Sequence, residues 1–227
     1  ADVPLAEVAE YACEDADVTW RLYEVLRQEL ADTGNEPLFY DLEMQLVPVL
    51  TAMERRGIRL DTSVLSGLVH VLDRDAGAAE DRVRELAGEP GLNLNSPKAL
   101  GAVLFDKLRI HEQAGIKRPK ATKTGYSTDH ATLSEHYGDV EIVQHLLEYR
   151  EVSKLKGTYV EPLPGFVNKR TGRVHPHFSQ VTAVTGRLSC SDPNLQNIPV
   201  RTERGRALRR AFVPRVADQH GEWVLLS

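Results

Sequence analysis

The residues best suited to chemistry lie near the end of the chain, in residues 185–212, which read TGRLSCSDPNLQNIPVRTERGRALRRAF and contain six arginines. Arginine offers a planar fork of donors for phosphates and for acceptors on base edges, while asparagine and glutamine both donate and accept. The alternation of arginines and amides therefore predicts a surface that binds nucleic acid. The side chains that we expect to make the contacts are Arg187, Asn194, Gln196, Asn197 and Arg201.

Each of these residues also has a purely structural interpretation. An arginine cluster alone is more often a solvated surface, and Arg187 by itself would be expected in a salt bridge. The three amides could equally be turn residues that follow Pro193, and we expect some of them to serve both ends. The later arginines are Arg201, Arg204, Arg206, Arg209 and Arg210. We expect them to form partly a solvated helix face, with about half of them touching a phosphate or an incoming triphosphate.

Charge is unevenly distributed along the chain. The formal net charge is −5, which argues against a histone-like basic protein. Residues 1–36 carry ten acidic and two basic side chains, whereas residues 150–215 carry thirteen basic and four acidic ones. Because fields act within about a Debye length, ~8 Å at physiological salt, we expect a polyanion to be steered to the C-terminal part.

Other sequence features narrow the setting. Cys13 and Cys190 are too far apart in sequence to predict a disulfide framework or a local metal site, which favours a reducing compartment. No apolar run approaches the roughly 20 residues that span a bilayer, so we expect no membrane partner. The chain has no initiator Met and stops at GEWVLLS, which we predict to be the beginning of a strand; we therefore expect an excerpt.

The elements that must position these residues are mainly helical. Apolar spacing predicts helices over residues 6–31 and 40–56, the second ending at Gly57. The clearest periodicity predicts one long helix packed against another helix of the chain, with a coiled-coil dimer as the alternative. Its apolar seam is Leu65, Val69, Leu72, Ala76, Ala79, Val83 and Leu86.

A capped helix and a basic loop are predicted next. Ser96 is placed as an N-cap, and Pro97 follows at the first helical position. Residues 111–127 have no periodicity, and their composition is that of a mobile basic loop. The cations that we expect to bind nucleic acid there are Lys117, Arg118, Lys120 and Lys123.

A second long helix is predicted over residues 139–160, antiparallel to the seam helix. Its inward residues are Ile142, Leu146, Tyr149, Val152, Leu155 and Tyr159. On its outer face Arg150 and Lys154 stand one turn apart and could touch successive phosphates. From residue 166 the pattern predicts a β-hairpin with Gly172 in the left-handed region, and Pro176 demotes its strand to a sheet edge. The predicted fold class is α+β, mainly helical.

The stretch 185–212 resembles the TGRLSSxDPNLQNIPxRxxxGRxxRxAF signature of the bacterial DNA polymerase I family, family A. Four other segments are similar to thumb and adjoining palm segments of that family, in the same order: NLNSPKALGAVLFDKL, TKTGYSTD, LEYREVSKLKGTY and TGRVHPHF. At the start, YACEDADVT resembles the last motif of the family's 3′–5′ exonuclease domain.

The resemblance implies a division of the chain. Residues 1–36 would end an exonuclease-like domain, 37–62 would form a connecting helix, 63–162 the thumb, and 163–227 the N-terminal part of the palm. The implied function is part of a template-directed DNA polymerase of replication and repair, acting as a monomer in the bacterial cytosol at the nucleoid. The implied partners are primer–template DNA and deoxynucleoside triphosphates.

The resemblance also implies roles for single residues. Arg187 would donate to the minor-groove edge of the terminal primer pair, where acceptors are common to all correct pairs. Tyr11 and Asp15 match the exonuclease motif, in which the carboxylate holds a metal and the phenol orients a water; the alternative is a scaffold that has lost this activity. Cys190 stands where the family has serine, and a thiol would weaken one polar contact to DNA.

The family's polymerase chemistry uses two metal ions, Mg²⁺ in the intact enzyme, held by palm carboxylates. We expect the chain to end before the first of them, to hold no metal tightly and to be inactive alone. Two alternatives remain: a non-catalytic DNA-binding module that retains the thumb, and a helical protein-interaction domain in which the arginines are incidental.

Overall fold

The computed structural model of the chain describes residues 4–123, 125–216, 221 and 223–224. The helices are α1 (Leu5–Asp32), α2 (Met44–Arg56), α3 (Thr62–Ala87), α4 (Pro97–Gly101), α5 (Ile110–Gln113), α6 (His130–Tyr137), α7 (Glu141–Leu155) and α8 (Glu203–Arg209). The strands are β1 (Ile58–Leu60), β2 (Ala121–Thr122), β3 (Gly125–Tyr126), β4 (Val167–Asn168), β5 (Arg173–Val174), β6 (His177–Ser179), β7 (Ser189–Ser191) and β8 (Phe212–Val213). The predicted fold class, α+β and mainly helical, is confirmed.

Shorter helical turns extend several of these helices. π-helical turns are formed by Leu38–Glu43, Ala102–Lys107 and Lys156–Val160, and a 3-10 turn by Leu163–Phe166. Within the described ranges, no helix is long and apolar enough to cross a bilayer. The predicted terminal strand at GEWVLLS falls largely outside the described residues.

The chain forms two compact units. The first consists of Ala1–Arg56 with Phe178–Ser189, and the second of Gly57–His177 with Cys190–Ser227. In the first unit α1 has no buried residue, and Trp20 is one of its exposed apolar side chains. The segment 178–189 is fastened to α2, because the amide of Phe178 donates to Glu54 Oε1 at 2.7 Å.

In the second unit α3 and α7 pack antiparallel, as predicted. The beginning of α3 shares a core with the end of α7, where Leu72 and Leu155 are buried. The end of α3 shares another core with the beginning of α7, where Val83 and Val143 are buried. The predicted seam is shifted at its edges: Leu68 is buried while Val69 is only partly so.

Helix ends follow the sequence signals. Asp61 caps α3 by accepting from the amide of Ser63 at 3.0 Å, and Gly88 ends that helix in the left-handed region with φ 61°. The predicted cap of α4 is confirmed, since Ser96 Oγ accepts from the amide of Ala99 at 3.3 Å with Pro97 at the first position. These caps satisfy amides that have no partner inside the helix.

Four strands form an antiparallel sheet in the order β4-β5-β1-β8. Gly172, at the turn between β4 and β5, has φ 65°, as predicted. The prediction that Pro176 makes its strand an edge is wrong for the part of the strand that precedes the proline. The strand breaks at this proline into β5 and β6, and β5 lies inside the sheet between β4 and β1. The proline interrupts the strand, but it does not determine where the strand lies in the sheet.

Candidate nucleic-acid interface

The amide-rich loop between β7 and α8 is anchored from beneath. Ile198 is buried, Leu195 is partly buried in the same core, and Tyr159 Oη donates to the carbonyl of Asn197 at 2.6 Å. Burial raises the pKa of the Tyr159 hydroxyl, so it remains a donor at neutral pH. The middle of the loop is therefore attached to the π-helical turn Lys156–Val160 that follows α7.

The amide side chains of this loop face outward. Asn194, Gln196 and Asn197 are all exposed. Asn194 Oδ1 also accepts from the amide of Gln196 at 3.1 Å, so this side chain supports a turn, as the structural interpretation expected. Because these residues are exposed and the side chains of Gln196 and Asn197 form no hydrogen bond among the described residues, a ligand can reach their amides.

The first turn of α8 is fixed by a capping hydrogen bond and by close packing against the preceding loop. Thr202 Oγ1 accepts from the amide of Gly205 at 3.1 Å and caps the helix. A Cβ on Gly205 would lie 2.5 Å from the carbonyl oxygen of Pro199, so only glycine fits against the preceding loop. Leu208 is fully buried and fixes the inner face. The loop and the helix are therefore packed as one piece.

The five arginines at α8 have different environments. Arg201, Arg206 and Arg210 are exposed, and Arg206 Nη2 donates to the carbonyl of Arg201 at 3.1 Å. Arg209 is partly buried, and its Nε has no hydrogen-bond partner among the described residues. Arg204 is ion-paired to two carboxylates, so its Nε and Nη2 already have partners within the chain.

Arg187 belongs to the first compact unit. Its side chain is exposed, and within the described part of the chain it forms no hydrogen bond or ion pair. The salt bridge that the structural interpretation expected is therefore not formed with the residues described. A guanidinium with free donors on the surface can bind a phosphate or a base edge.

The basic segment after α5 contains more regular structure than predicted. Lys117, Arg118, Lys120 and Lys123 are all exposed. Strands β2 and β3 pair as a short antiparallel hairpin within it, which contradicts the expectation of a loop without structure. Strands of two residues are too short to produce a recognisable alternation in sequence.

Arg150 and Lys154, predicted as neighbours on one outer face, differ in exposure. Lys154 is exposed, whereas Arg150 is half-buried and its Nη1 donates to the carbonyl of Thr128. Burial lowers the pKa of the Arg150 guanidinium, and the carboxylate of Asp129 opposes that shift. Lys154 is thus the better placed of the two to bind a phosphate directly.

An open groove of about 920 Å³ adjoins Arg150. Lys98 and Tyr126 also line it, together with Asp129. Hydrogen bonds from Ser127 and from Thr132 hold the pKa of the Asp129 carboxyl well below its usual range. The groove is therefore lined by both signs of charge. Of its two carboxylates, Asp129 caps α6 and Asp106 accepts from Tyr126 Oη at 2.7 Å.

Tyr11 and Asp15 lie one turn apart on α1, and both are exposed. Among the described residues no group of three or more His, Cys, Asp or Glu could hold a metal ion. Asp15 is therefore not joined by two further ligands among the described residues, and its role in holding a metal stays a prediction. The Nε2 of His175, which follows β5, lies 2.7 Å from Thr171 Oγ1.

Cys190 does not face outward. It is buried, and its thiol donates to the carbonyl of Pro193 at 3.4 Å. The expectation that the thiol weakens a contact to DNA is therefore wrong, because the side chain makes its polar contact within the chain. Both cysteines are free thiols.

Comparison with known proteins identifies the family. A family model described as DNA polymerase family A matches residues 62–227. The chain belongs to DNA polymerase family A. It is 43% identical to DNA polymerase I of Synechocystis sp. over 100% of this chain and 22% of that protein. It is 45% identical to DNA polymerase I of Pseudomonas aeruginosa over 93% of this chain and 23% of that protein.

A solved family A structure shows the same fold. The POL domain of Pol1 from M. smegmatis, in complex with DNA primer-template and dNTP, superposes with a TM-score of 0.77 at 38% identity. The match covers 87% of this chain and 34% of that chain. This chain thus spans about a fifth to a quarter of the length of its curated relatives and a third of the solved domain.

Sequence reasoning found the outward-facing residues but missed those that hold them. Tyr159 was expected only as an inward residue, and its hydroxyl gave no signal that it supports the amide loop. Gly205 could have been found, because a glycine beside a helix start often marks close backbone approach. Asp75 and Glu148 carried no signal, since their partner Arg204 is far away in sequence.

Proposed function

We propose that this chain is the part of a template-directed DNA polymerase that grips primer–template duplex and checks the primer terminus. The observation that carries the proposal is the loop 192–201 with α8. Ile198 and Leu208 are buried, Leu195 is partly buried, and the carbonyl of Asn197 accepts a hydrogen bond from Tyr159, while the amides and three of the arginines are exposed. A rigid polar surface of this kind suits contacts that position a reacting end.

The proposed division of the chain follows the family. Residues 63–162 are the thumb, which grips the duplex backbone through Lys154, the basic hairpin segment and, less directly, Arg150. Residues 163–227 begin the palm and check the primer terminus. Residues 1–36 end an exonuclease-like domain, where Tyr11 and Asp15 are retained, and 37–62 connect the two.

Family A polymerases use divalent metal ions, and Mg²⁺ is proposed for the full polymerase. When bound, it would stabilise charge on the transferred phosphoryl group. The residues described contribute binding and orientation. Primer–template DNA and deoxynucleoside triphosphates are the proposed partners of a monomeric polymerase acting at the bacterial nucleoid.

The test replaces Arg187 by Ala in the polymerase that contains this chain. Because Arg187 is exposed and unpaired among the described residues, the fold should survive. If it donates to the minor-groove edge of the terminal pair, nucleotide addition should slow much more than duplex binding weakens. Arg170→Ala, which removes an equal charge from the exposed turn between β4 and β5, is the matched control and should change neither.

A second substitution, in the DNA, sharpens the test. A 3-deaza purine at the primer terminus deletes the acceptor and keeps Watson–Crick pairing. The two losses should be non-additive, with a coupling on the order of 1–3 kcal/mol, the range for a hydrogen bond to a charged group. Full additivity would place Arg187 away from the terminus, and unaffected nucleotide addition would favour a DNA-binding role without a part in catalysis.

A further inference from the structure

The guanidinium of Arg204 joins α8 to both long helices. Its Nε and Nη2 donate to Asp75 Oδ2 of α3 at 3.2 and 3.0 Å. Its Nη2 also donates to Glu148 Oε1 of α7 at 2.7 Å. One side chain therefore contacts two helices other than its own.

The Arg204–Asp75 pair is partly shielded from solvent, whereas the side chain of Glu148 is 40% exposed. The side chains of Arg204 and Asp75 are only 26% and 20% exposed. Hydrogen bonds from Arg74 and then from Arg204 lower the pKa of Asp75, so the carboxylate is ionised at neutral pH. Such partly buried ion pairs constrain geometry more than exposed ones do.

The Arg204 contact restricts the orientation of α8, which apolar packing alone does not do. Leu208 attaches the helix through apolar burial, which has no directional preference. The guanidinium fork accepts only a narrow range of orientations toward its carboxylates. Arg204 also falls on a variable position of the RxxxGR signature, so the contact is a feature of this chain and is not required by the signature.

We propose that Arg204 is a positioning residue that fixes α8 against α3 and α7, so that the exposed arginines of α8 and the cations of the long-helix pair meet one duplex together. It contacts no nucleic acid itself. The inference rests on the proposed duplex-binding function. It explains why one arginine of a basic cluster is ion-paired to two carboxylates within the chain.

The test compares three variants of the 227-residue chain, each of which loses one positive charge. Arg206→Gln removes an exposed cation of α8 and should reduce the salt slope of duplex binding by about 0.9, the value for one phosphate contact. Arg204→Gln should weaken duplex binding roughly tenfold, within the range for coupled ionic groups, and leave the slope unchanged. Arg74→Gln is the matched control, because Arg74 binds the same Asp75 but is 75% exposed and links no second helix; it should resemble the wild type.

The outcomes separate the inference from the function on which it rests. If the wild-type chain does not bind duplex, the proposed function fails. If it binds and Arg204→Gln matches Arg74→Gln, the positioning role is wrong. If the salt slope of Arg204→Gln falls as much as that of Arg206→Gln, Arg204 is itself a phosphate contact, and the positioning role is wrong.

Two further variants guard against loss of the fold. Arg204→Lys keeps the charge without the fork, and it should weaken binding at an unchanged slope in a chain whose melting curve stays cooperative. Wild-type affinity for Arg204→Lys contradicts the inference. In a cycle with Asp75→Asn the two losses in affinity should be non-additive, and independent losses would contradict it as well.

Discussion

Replacing Gly205 by Ala should separate α8 from the loop that precedes it. The added Cβ would lie 2.5 Å from the carbonyl oxygen of Pro199, 2.8 Å from its Cβ and 2.9 Å from its carbonyl carbon. These atoms belong to backbone and to a proline ring, so none can rotate away. Reaching ordinary contact requires a shift of about 1 Å, and such overpacking costs about 1–3 kcal/mol.

The assay is thermal unfolding followed by circular dichroism, together with duplex affinity. For a domain of this size the cost corresponds to a melting temperature lower by about 2–12 °C. Duplex affinity should also fall, because the displaced helix carries Arg206 and Arg210 away from the anchored loop. Binding is measured well below the lower melting temperature.

Gly67 is the matched control for this substitution. It lies inside α3, is exposed, and has nothing within 4 Å of an added Cβ. Because alanine is favoured over glycine within helices, Gly67→Ala should stabilise the chain by about 0.5–1 kcal/mol. The reasoning would be refuted if both variants melted alike or if Gly205→Ala melted with the wild type.

Four other variants change residues that support the interface or lie beside it. Tyr159→Phe should lower the free energy of unfolding by about 1 kcal/mol, because the carbonyl of Asn197 loses its donor; unchanged denaturant midpoints would contradict this. Asp129→Ala should be less stable than the wild type at neutral pH, and since the pKa of Asp129 is lowered in the folded state, the difference should shrink as pH falls below about 4; a difference that is constant down to pH 2 would exclude this carboxylate as its source. Lys154→Gln should reduce the salt slope of duplex binding by about 0.9 and leave the melting temperature unchanged. Arg150→Gln should mainly lower the melting temperature, since the carbonyl of Thr128 loses its donor; equal effects of the two variants on both measurements would show that their environments do not differ.

Local signals in the sequence predicted the helices well. Regular apolar spacing placed α3 and α7 and their antiparallel pairing, because each helix presents one apolar face that must be covered. Capping residues such as Ser96 were predictable for a similar reason, since the first helical amides require nearby acceptors.

Contacts between distant segments could not be predicted in this way. Strand β5 lies inside the sheet because β1, from much earlier in the chain, pairs with it, and no property of Pro176 reveals that neighbour. Arg204 and Asp75 are 129 residues apart in sequence, and composition alone made Arg204 one more basic residue. Arg150 was assigned to an outer face by helical periodicity, but its guanidinium is half-buried against Thr128, in the segment before α6.

The central claim is that the exposed cations at α8 bind the backbone of a nucleic-acid duplex. The direct measurement is duplex binding by the 227-residue chain as a function of salt, for the wild type and for a variant with Arg201, Arg206 and Arg210 changed to Gln. A control carries the same change at three other exposed arginines, Arg21, Arg27 and Arg74. Two duplexes of unrelated sequence should bind alike, and the α8 variant should lose about two to three units of slope while the control loses less than one. Slopes that are equal in the two variants, or a wild-type chain with no affinity for duplex, would contradict the account.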